Sequence, residues 1–240
     1  VNNETLQFDN KILLEDLAKK LNINALGAKV NNRLRELSYY LNNNSTVEFI
    51  DLSDTEGVRI YQNTLRYLIV MAINRLYPNA SVKFSQHVSR SFLCVVSSVK
   101  VNQVFLDKVK KELERIIKED YPIVRTKLSK NEAIGIYKKQ KYFDKIDVLR
   151  YRPENMVNMN VCCGYYNYMY GYTLPRTSYI TDYNLILYKT GFIVQYPRSE
   201  ANGSIPDFED SDRLFNMIQD AYKWRKTCKI ANIASMNEFT

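Results

Sequence analysis

The sequence predicts an α+β chain in two parts: a small mixed sheet over one helix, then a larger segment of helices and paired strands. Three observations carry this. The first 55 residues hold only short strand-like runs around one helical pattern. The rest opens with a long helical pattern ending at Pro78 and continues through alternating strands and amphipathic helices. The charge also divides there: residues 1–55 carry six Lys/Arg against eight Asp/Glu, and the remainder a net +10 of the whole chain's +8. The polar run Asp51-Leu52-Ser53-Asp54-Thr55-Glu56-Gly57 marks the boundary.

In the first part Thr5-Leu6-Gln7-Phe8 alternates as a strand would. Asn10 is a helix cap for an apolar face of Leu13, Leu14, Leu17 and Leu21. Ala28-Lys29-Val30 and Arg33-Leu34-Arg35-Glu36-Leu37 flank Asn31-Asn32, and Asn tolerates the positive φ that a tight hairpin requires. Val47-Glu48-Phe49-Ile50 is a further strand.

The second part begins with a helix over about residues 56–77, with Ile60, Thr64, Leu68, Met71, Ala72 and Leu76 on one side, ended by Pro78. Val82-Lys83-Phe84 and Phe92-Leu93-Cys94-Val95-Val96 read as paired strands. Leu106, Val109, Leu113, Ile116 and Ile117 line a helix that stops before Pro122. Ser129-Lys130-Asn131-Glu132 fits a capping box, in which hydroxyl and carboxylate satisfy the first free amides. Strands follow near 157–162, 183–188 and 192–196. A last helix, about 211–226, should bury Leu214, Phe215, Ile218 and Tyr222. There is no internal repeat.

The composition excludes several chemistries. With one histidine, His87, the chain cannot build a zinc site of two or three His ligands or an HExxH helix. Gly-Lys occurs nowhere, so there is no Walker-type ATP site. No apolar run approaches the roughly 18 residues that span a bilayer. The opening Val1-Asn2-Asn3-Glu4 lacks a signal pattern. Cys94, Cys162, Cys163 and Cys228 have no CxxC spacing and read as reduced thiols of a cytoplasmic protein. Starting at Val, the sequence reads as a piece of a longer chain.

What remains is a candidate ligand surface. His87 lies in a predicted loop, as a base for a neighbouring Ser or Cys or simply as a hydrogen-bonded residue. Residues 165–172 hold five tyrosines, and alternation of Tyr166, Tyr168, Tyr170 and Tyr172 would set one row of phenols on one side of a strand. Such a row suits a base, ribose or amino acid, or equally a sheet face packed under a helix. Residues 100–150 hold fourteen basic and eight acidic residues, consistent with an anionic partner or with a solvated lysine face.

The run from Ala28 to Leu37 followed by Val47-Glu48-Phe49-Ile50-Asp51 resembles a TGS domain, the small β-grasp module of threonyl-tRNA synthetases, with its first strand missing. The helix ending Ala72-Ile73-Asn74-Arg75-Leu76-Tyr77-Pro78, the strand pair, the Lys/Glu-rich helix and Leu128-Ser129-Lys130-Asn131-Glu132-Ala133 resemble the second additional, editing domain of those synthetases. The same order precedes the kinase domain of bacterial uridine kinase-like nucleoside kinases. The chain resembles that family more closely, through Asn32-Arg33-Leu34-Arg35-Glu36-Leu37, Arg59-Ile60-Tyr61, Leu149-Arg150-Tyr151-Arg152, the Cys163–Tyr172 cluster and Gly191-Phe192-Ile193-Val194-Gln195-Tyr196-Pro197.

The resemblance implies a TGS-like β-grasp domain over 1–55, an editing-like fold with mostly antiparallel sheet over 56–205, and a helix and linker toward a downstream kinase domain over 206–240. Editing domains carry HxxxH and CxxxH. Those positions fall here at Asn63 and Tyr67, and at Met169 and Thr173, so no ligand or base of that set survives. The implied cleft therefore comprises Asn63, Tyr67, His87, Tyr166, Tyr168, Met169, Tyr170, Tyr172 and Thr173. It has no catalytic or metal residue and no cofactor of its own; ATP and magnesium would belong to the kinase domain alone. The expected role is non-catalytic and regulatory, with that kinase domain as partner and a nucleoside, nucleotide, amino acid or RNA as ligand, away from any membrane. The alternative is an RNA- or tRNA-binding module, or a trans-editing aminoacyl-tRNA deacylase.

Overall fold

A computed structural model describes residues 5–8, 10–230 and Met236. The opening Val1–Glu4, in which no signal pattern is read, lies outside the described residues, as does most of the chain after Ile230. The architecture is α+β, and every strand ladder among the described residues is antiparallel.

The first part comprises β1 (Ile12–Leu13), α1 (Leu14–Lys20), β2 (Gly27–Val30), β3 (Arg33–Arg35), β4 (Tyr40–Leu41) and β5 (Val47–Ile50). β2 is the centre of a three-stranded sheet, order β3-β2-β5, and β1 pairs with β4. The hairpin turn is where the Asn pair predicts it: Asn31 and Asn32 have φ of 48° and 61°, and Val30 faces Arg33. Two expectations fail here. Thr5–Phe8 forms no strand, and Asn10 does not cap the helix. Ile12 and Leu13 pair with Leu41 and Tyr40, so the chain stays extended to Leu13. The first helical amides are then satisfied by backbone: Leu14 N–H donates to Tyr39 O and Glu15 N–H to Leu37 O, both at 3.0 Å. Leu14, Ala18, Ala28, Val30 and Leu37 form a small core beneath this sheet.

α2 (Thr55–Leu76) is the axis of the second part, about 33 Å long at 1.5 Å per residue. Ile60, Thr64, Leu65, Tyr67, Leu68, Ile69, Met71 and Ala72 are all buried. Its first turn passes so close to Asp51 that a Cβ on Gly57 would lie 1.8 Å from the Asp51 carbonyl oxygen. Leu26 and Ile50 of the first part join the apolar cluster around α2, and Tyr179 Oη donates to Glu15 of α1 at 3.0 Å.

Two sheets flank α2. β6 (Ser81–Val88), β7 (Ser91–Ser97), β11 (Asn184–Tyr188) and β12 (Gly191–Gln195) form a four-stranded sheet, order β11-β12-β7-β6. β8 (Val124–Ser129), β9 (Met156–Cys162) and β10 (Tyr165–Asn167) form a three-stranded sheet, order β10-β9-β8. α3 (Gln103–Lys118) packs on α2, and α4 (Lys130–Lys139) packs on α5 (Phe143–Arg150) and on β8 and β9. The Ser129–Glu132 capping box on α4 is present in both directions. α6 (Asp212–Thr227) lays Ile218 on Val88, Leu93, Tyr188 and Ile193 of the larger sheet, with Leu214 and Phe215 half-buried beside it. Tyr222, expected inside, is 64% exposed, because only one edge of this helix meets the sheet. Among the described residues no helix is long and apolar enough to cross a membrane.

Candidate functional site

The tyrosine-rich segment is not one strand. β9 and β10 are joined by a two-residue turn, Cys163-Gly164, both at positive φ (48° and 76°), and β10 ends at Asn167. The next amide, Tyr168 N–H, bonds the Tyr137 hydroxyl at 3.0 Å instead of a neighbouring strand. The chain then turns at Gly171, φ 92°, and is gathered by α2. The expected single row of phenols therefore does not form. Tyr166, Met169 and Tyr172 are half-buried against the core, while Tyr168 and Tyr170 face outward, Tyr170 at 85% exposure.

α2 holds this segment with three polar side chains, Asn63, Thr64 and Tyr67. Asn63 Nδ2 donates to Tyr170 O at 2.7 Å and Tyr172 O at 3.3 Å. Thr64 Oγ1 donates to Ile60 O at 2.9 Å and accepts the Leu174 amide at 2.8 Å. Tyr67 Oη donates to Tyr165 O at 2.8 Å. Thr173 is tied from the sheet, its Oγ1 accepting from Asn160 Nδ2 at 2.9 Å. Asn63, Tyr67 and Thr173 thus meet around one segment, and their polar atoms are engaged within the fold. Burial pushes the Tyr67 phenol well above its ordinary range, so it stays protonated.

His87 stands apart from this group. It is in β6 rather than a loop, because β6 continues past a register shift between Phe84 and His87, and its ring lies 4.4 Å from that of Phe92.

Lys145 on α5 went unnoticed in the sequence. Its Nζ donates to the buried Asn167 Oδ1 at 2.6 Å, and lies 4.3 Å and 5.4 Å from the Tyr142 and Tyr137 ring centres. Burial pulls its pKa down to about 8, against a small opposing effect of Asp144. The network continues inward: the Tyr142 and Tyr165 hydroxyls are 3.1 Å apart, and the Tyr165 and Tyr67 rings 5.5 Å. A lysine of this kind can exist partly as a neutral amine near pH 8, a hydrogen-bond acceptor or base beside the Tyr67–Thr173 group. The available signal was the spacing of Tyr142, Ile146 and Leu149, which puts one apolar face on α5 with Lys145 at its edge.

Outside this buried group the surface pairs rings with guanidinium groups. Arg125 lies 5.2 Å from the centre of Tyr172, Arg152 5.4 Å from Tyr168, and Arg35 4.9 Å from Tyr39. Arg35 also reaches the Tyr172 hydroxyl, joining the first part to this surface.

No protein-family model matches the chain. It is 31% identical over 137 residues to the threonine–tRNA ligase of Desulforamulus reducens, covering 55% of this chain and 21% of that protein. It is 28% identical over 153 residues to that of Acetivibrio thermocellus, covering 62% and 24%. With that of Thermotoga maritima it shares 27% over 185 residues, covering 75% and 29%. These comparisons support the threonyl-tRNA synthetase side of the resemblance. The chain is therefore similar over much of its length to one segment of threonine–tRNA ligases, spanning between a fifth and three tenths of those proteins.

Proposed function

We propose that this chain is an RNA-binding module built on a threonyl-tRNA synthetase editing-type fold, which holds a tRNA end without hydrolysing it. The carrying observation is the surface beside α2, where Tyr172, Tyr168 and Tyr39 each lie against an arginine and Tyr170 stands open. Aromatic faces stack unpaired bases, and guanidinium groups neutralise the phosphates between them. Asn63, Thr64, Tyr67 and Thr173 act here as scaffold, fixing the backbone that presents these rings.

The test is tRNA binding over a salt series. Affinity should fall steeply as salt rises, because phosphate contacts release counterions. Arg125→Gln combined with Tyr170→Ala should weaken binding at least about tenfold, since stacking on one ring is worth about 1–3 kcal/mol. Absent or salt-independent binding would sink the proposal.

Lys145 supports a second reading, a trans-editing deacylase, because a lysine with its pKa near 8 can act as a base. Hydrolysis of mischarged Ser-tRNA above the uncatalysed control, abolished by Lys145→Met, would establish it. The accessory role beside a uridine kinase-like domain rests on the order of sequence motifs; a Gly-rich loop ending in Gly-Lys-Ser/Thr encoded beyond Thr240 would support it.

A further inference from the structure

Arg66, on α2, points away from the tyrosine cluster toward the edge strand β6. Its guanidinium lies 5.0 Å from the centre of Phe84 and 4.9 Å from that of Phe92. Its Nε is buried without a hydrogen-bond partner, and Arg66 has no ion pair among the described residues. A half-buried guanidinium without an anion is costly, and burial accordingly lowers its pKa.

Phe92 is the hub of the cluster. The His87 ring lies 4.4 Å from it and the Tyr196 ring 5.2 Å. Tyr196 Oη accepts from Arg198 Nη1 at 2.9 Å, and Arg198 also donates to Arg90 O at 3.4 Å. The carboxylate of Glu200 is taken by Arg198, at 2.9 Å from its Nε. Glu200 is taken up by Arg198 alone, through its Nε and Nη2, and among the described residues Arg66 and Arg90 form no ion pair.

A second, independent feature coincides. The register shift between Phe84 and His87 breaks the β6–β7 ladder where this charge collects. Such irregularities redirect side chains at edges and recur next to functional sites. The result is an edge strand with two guanidinium groups, an exposed imidazole and aromatic rings gathered beside it.

We propose that the Arg66–His87–Arg198 cluster binds the phosphate group of a small phosphorylated ligand. Arg66 supplies the unpaired charge, Arg198 a second guanidinium held in place by Tyr196 and Glu200, and His87 a donor that gains a proton as the dianion arrives. Guanidinium groups match phosphate oxygens through paired N–H donors. Arg66 shares α2 with Asn63 and Tyr67, but its guanidinium lies against Phe84 and Phe92 and not against the tyrosine-rich segment, so the proposal does not depend on the RNA reading.

The single histidine makes the test direct, because the chain has one imidazole C2–H resonance to follow by proton NMR. The charged groups facing it are Arg66 from α2, Arg198 and Glu200 from the 198–200 turn, and Arg90 beyond β6. Burial, and after it the guanidinium groups of Arg198 and Arg66, hold the His87 pKa below its ordinary value. The full 240-residue chain is titrated with pH in sodium chloride and in sodium phosphate at matched ionic strength, then in adenosine monophosphate.

Bound phosphate should raise the His87 midpoint by about one pH unit relative to chloride, the direction an adjacent anion imposes. Arg66→Gln should remove that difference and start from a higher midpoint in chloride. Arg198→Gln is the second variant, should Arg66→Gln not fold. An affinity for adenosine monophosphate at least tenfold above inorganic phosphate would support a nucleotide. Equal affinities would support recognition of the phosphate alone. Superimposable titrations in chloride and phosphate overturn the proposal, as does a response to tRNA with none to either small probe.

Discussion

Replacing Lys145 by methionine tests whether the tyrosine network holds a lysine against its preference for charge. The ordinary lysine pKa of 10.5 falls to about 8 in the fold. Below pH 8 the amine is charged in both folded and unfolded chains, and the fold bears the cost of burying it. Between about 8 and 10.5 the folded chain has released its proton while the unfolded chain retains it. The unfolded state then binds more protons, so stability rises with pH across that window. A shift of this size corresponds to at most about 3 kcal/mol, and a partly exposed side chain reduces it to about 1–2 kcal/mol. The assay is urea unfolding at pH 7 and at pH 10 for wild type and Lys145→Met. Other lysines and tyrosines titrate in the same range, so the informative quantity is the difference between the two proteins. The wild type should gain about 1–2 kcal/mol relative to the variant on going from pH 7 to pH 10. Parallel curves would refute the argument, and would mean that the ammonium is solvated rather than enclosed by Tyr137, Tyr142 and Asn167.

Thr64→Val keeps the shape of a fully buried side chain but leaves the Leu174 amide without its acceptor. It should cost about 1–3 kcal/mol in denaturant unfolding, with faster amide exchange confined to residues 170–174; a loss below about 0.5 kcal/mol would contradict the role given to Thr64. Gly57→Ala pits helix propensity, a gain of about 1 kcal/mol, against overlap with the Asp51 carbonyl, where the Cβ would come within 1.8 Å. Overlap with backbone should win, with a net loss of about 2 kcal/mol in thermal or chemical unfolding; a stabilised variant would mean that the Asp51–Gly57 turn yields.

The elements legible in the sequence are those whose local pattern agrees with their packing. The Asn31-Asn32 hairpin, α2, α3 and the Ser129–Glu132 box are each specified by a few neighbouring residues. Asn10 misled because a good cap residue says nothing about Ile12 and Leu13 pairing with a strand some thirty residues away. The tyrosine run misled for a related reason. Alternation predicts a strand only if a partner exists, and past Asn167 the available partners are side chains, Tyr137 on α4 and Asn63 and Thr64 on α2. The spacing of Tyr142, Ile146 and Leu149 puts Lys145 at the edge of an apolar face but says nothing of what it meets there. Its environment is assembled from Tyr137, Tyr142 and Asn167, which α4, the start of α5 and β10 bring together.

At the positions where the editing resemblance puts its chemistry, the polar groups are taken up by the fold. A hydrolytic centre needs polar groups that are positioned but not consumed, free to meet water or an ester. Asn63 and Tyr67 instead donate to backbone carbonyls of the segment they face, and Thr173 accepts from Asn160. Each bond gives up reactivity for rigidity. The beneficiary is the irregular stretch 168–174, which lacks a strand partner and would otherwise be mobile. Held by α2, it presents Tyr170 and Tyr172 in a fixed arrangement beside Arg125. A preorganised aromatic surface loses less entropy on binding than a floppy one. The same hydrogen bonds that engage these polar groups within the fold thus fix the stretch that carries the tyrosines, and Lys145 is held likewise, its Nζ donating to Asn167 Oδ1.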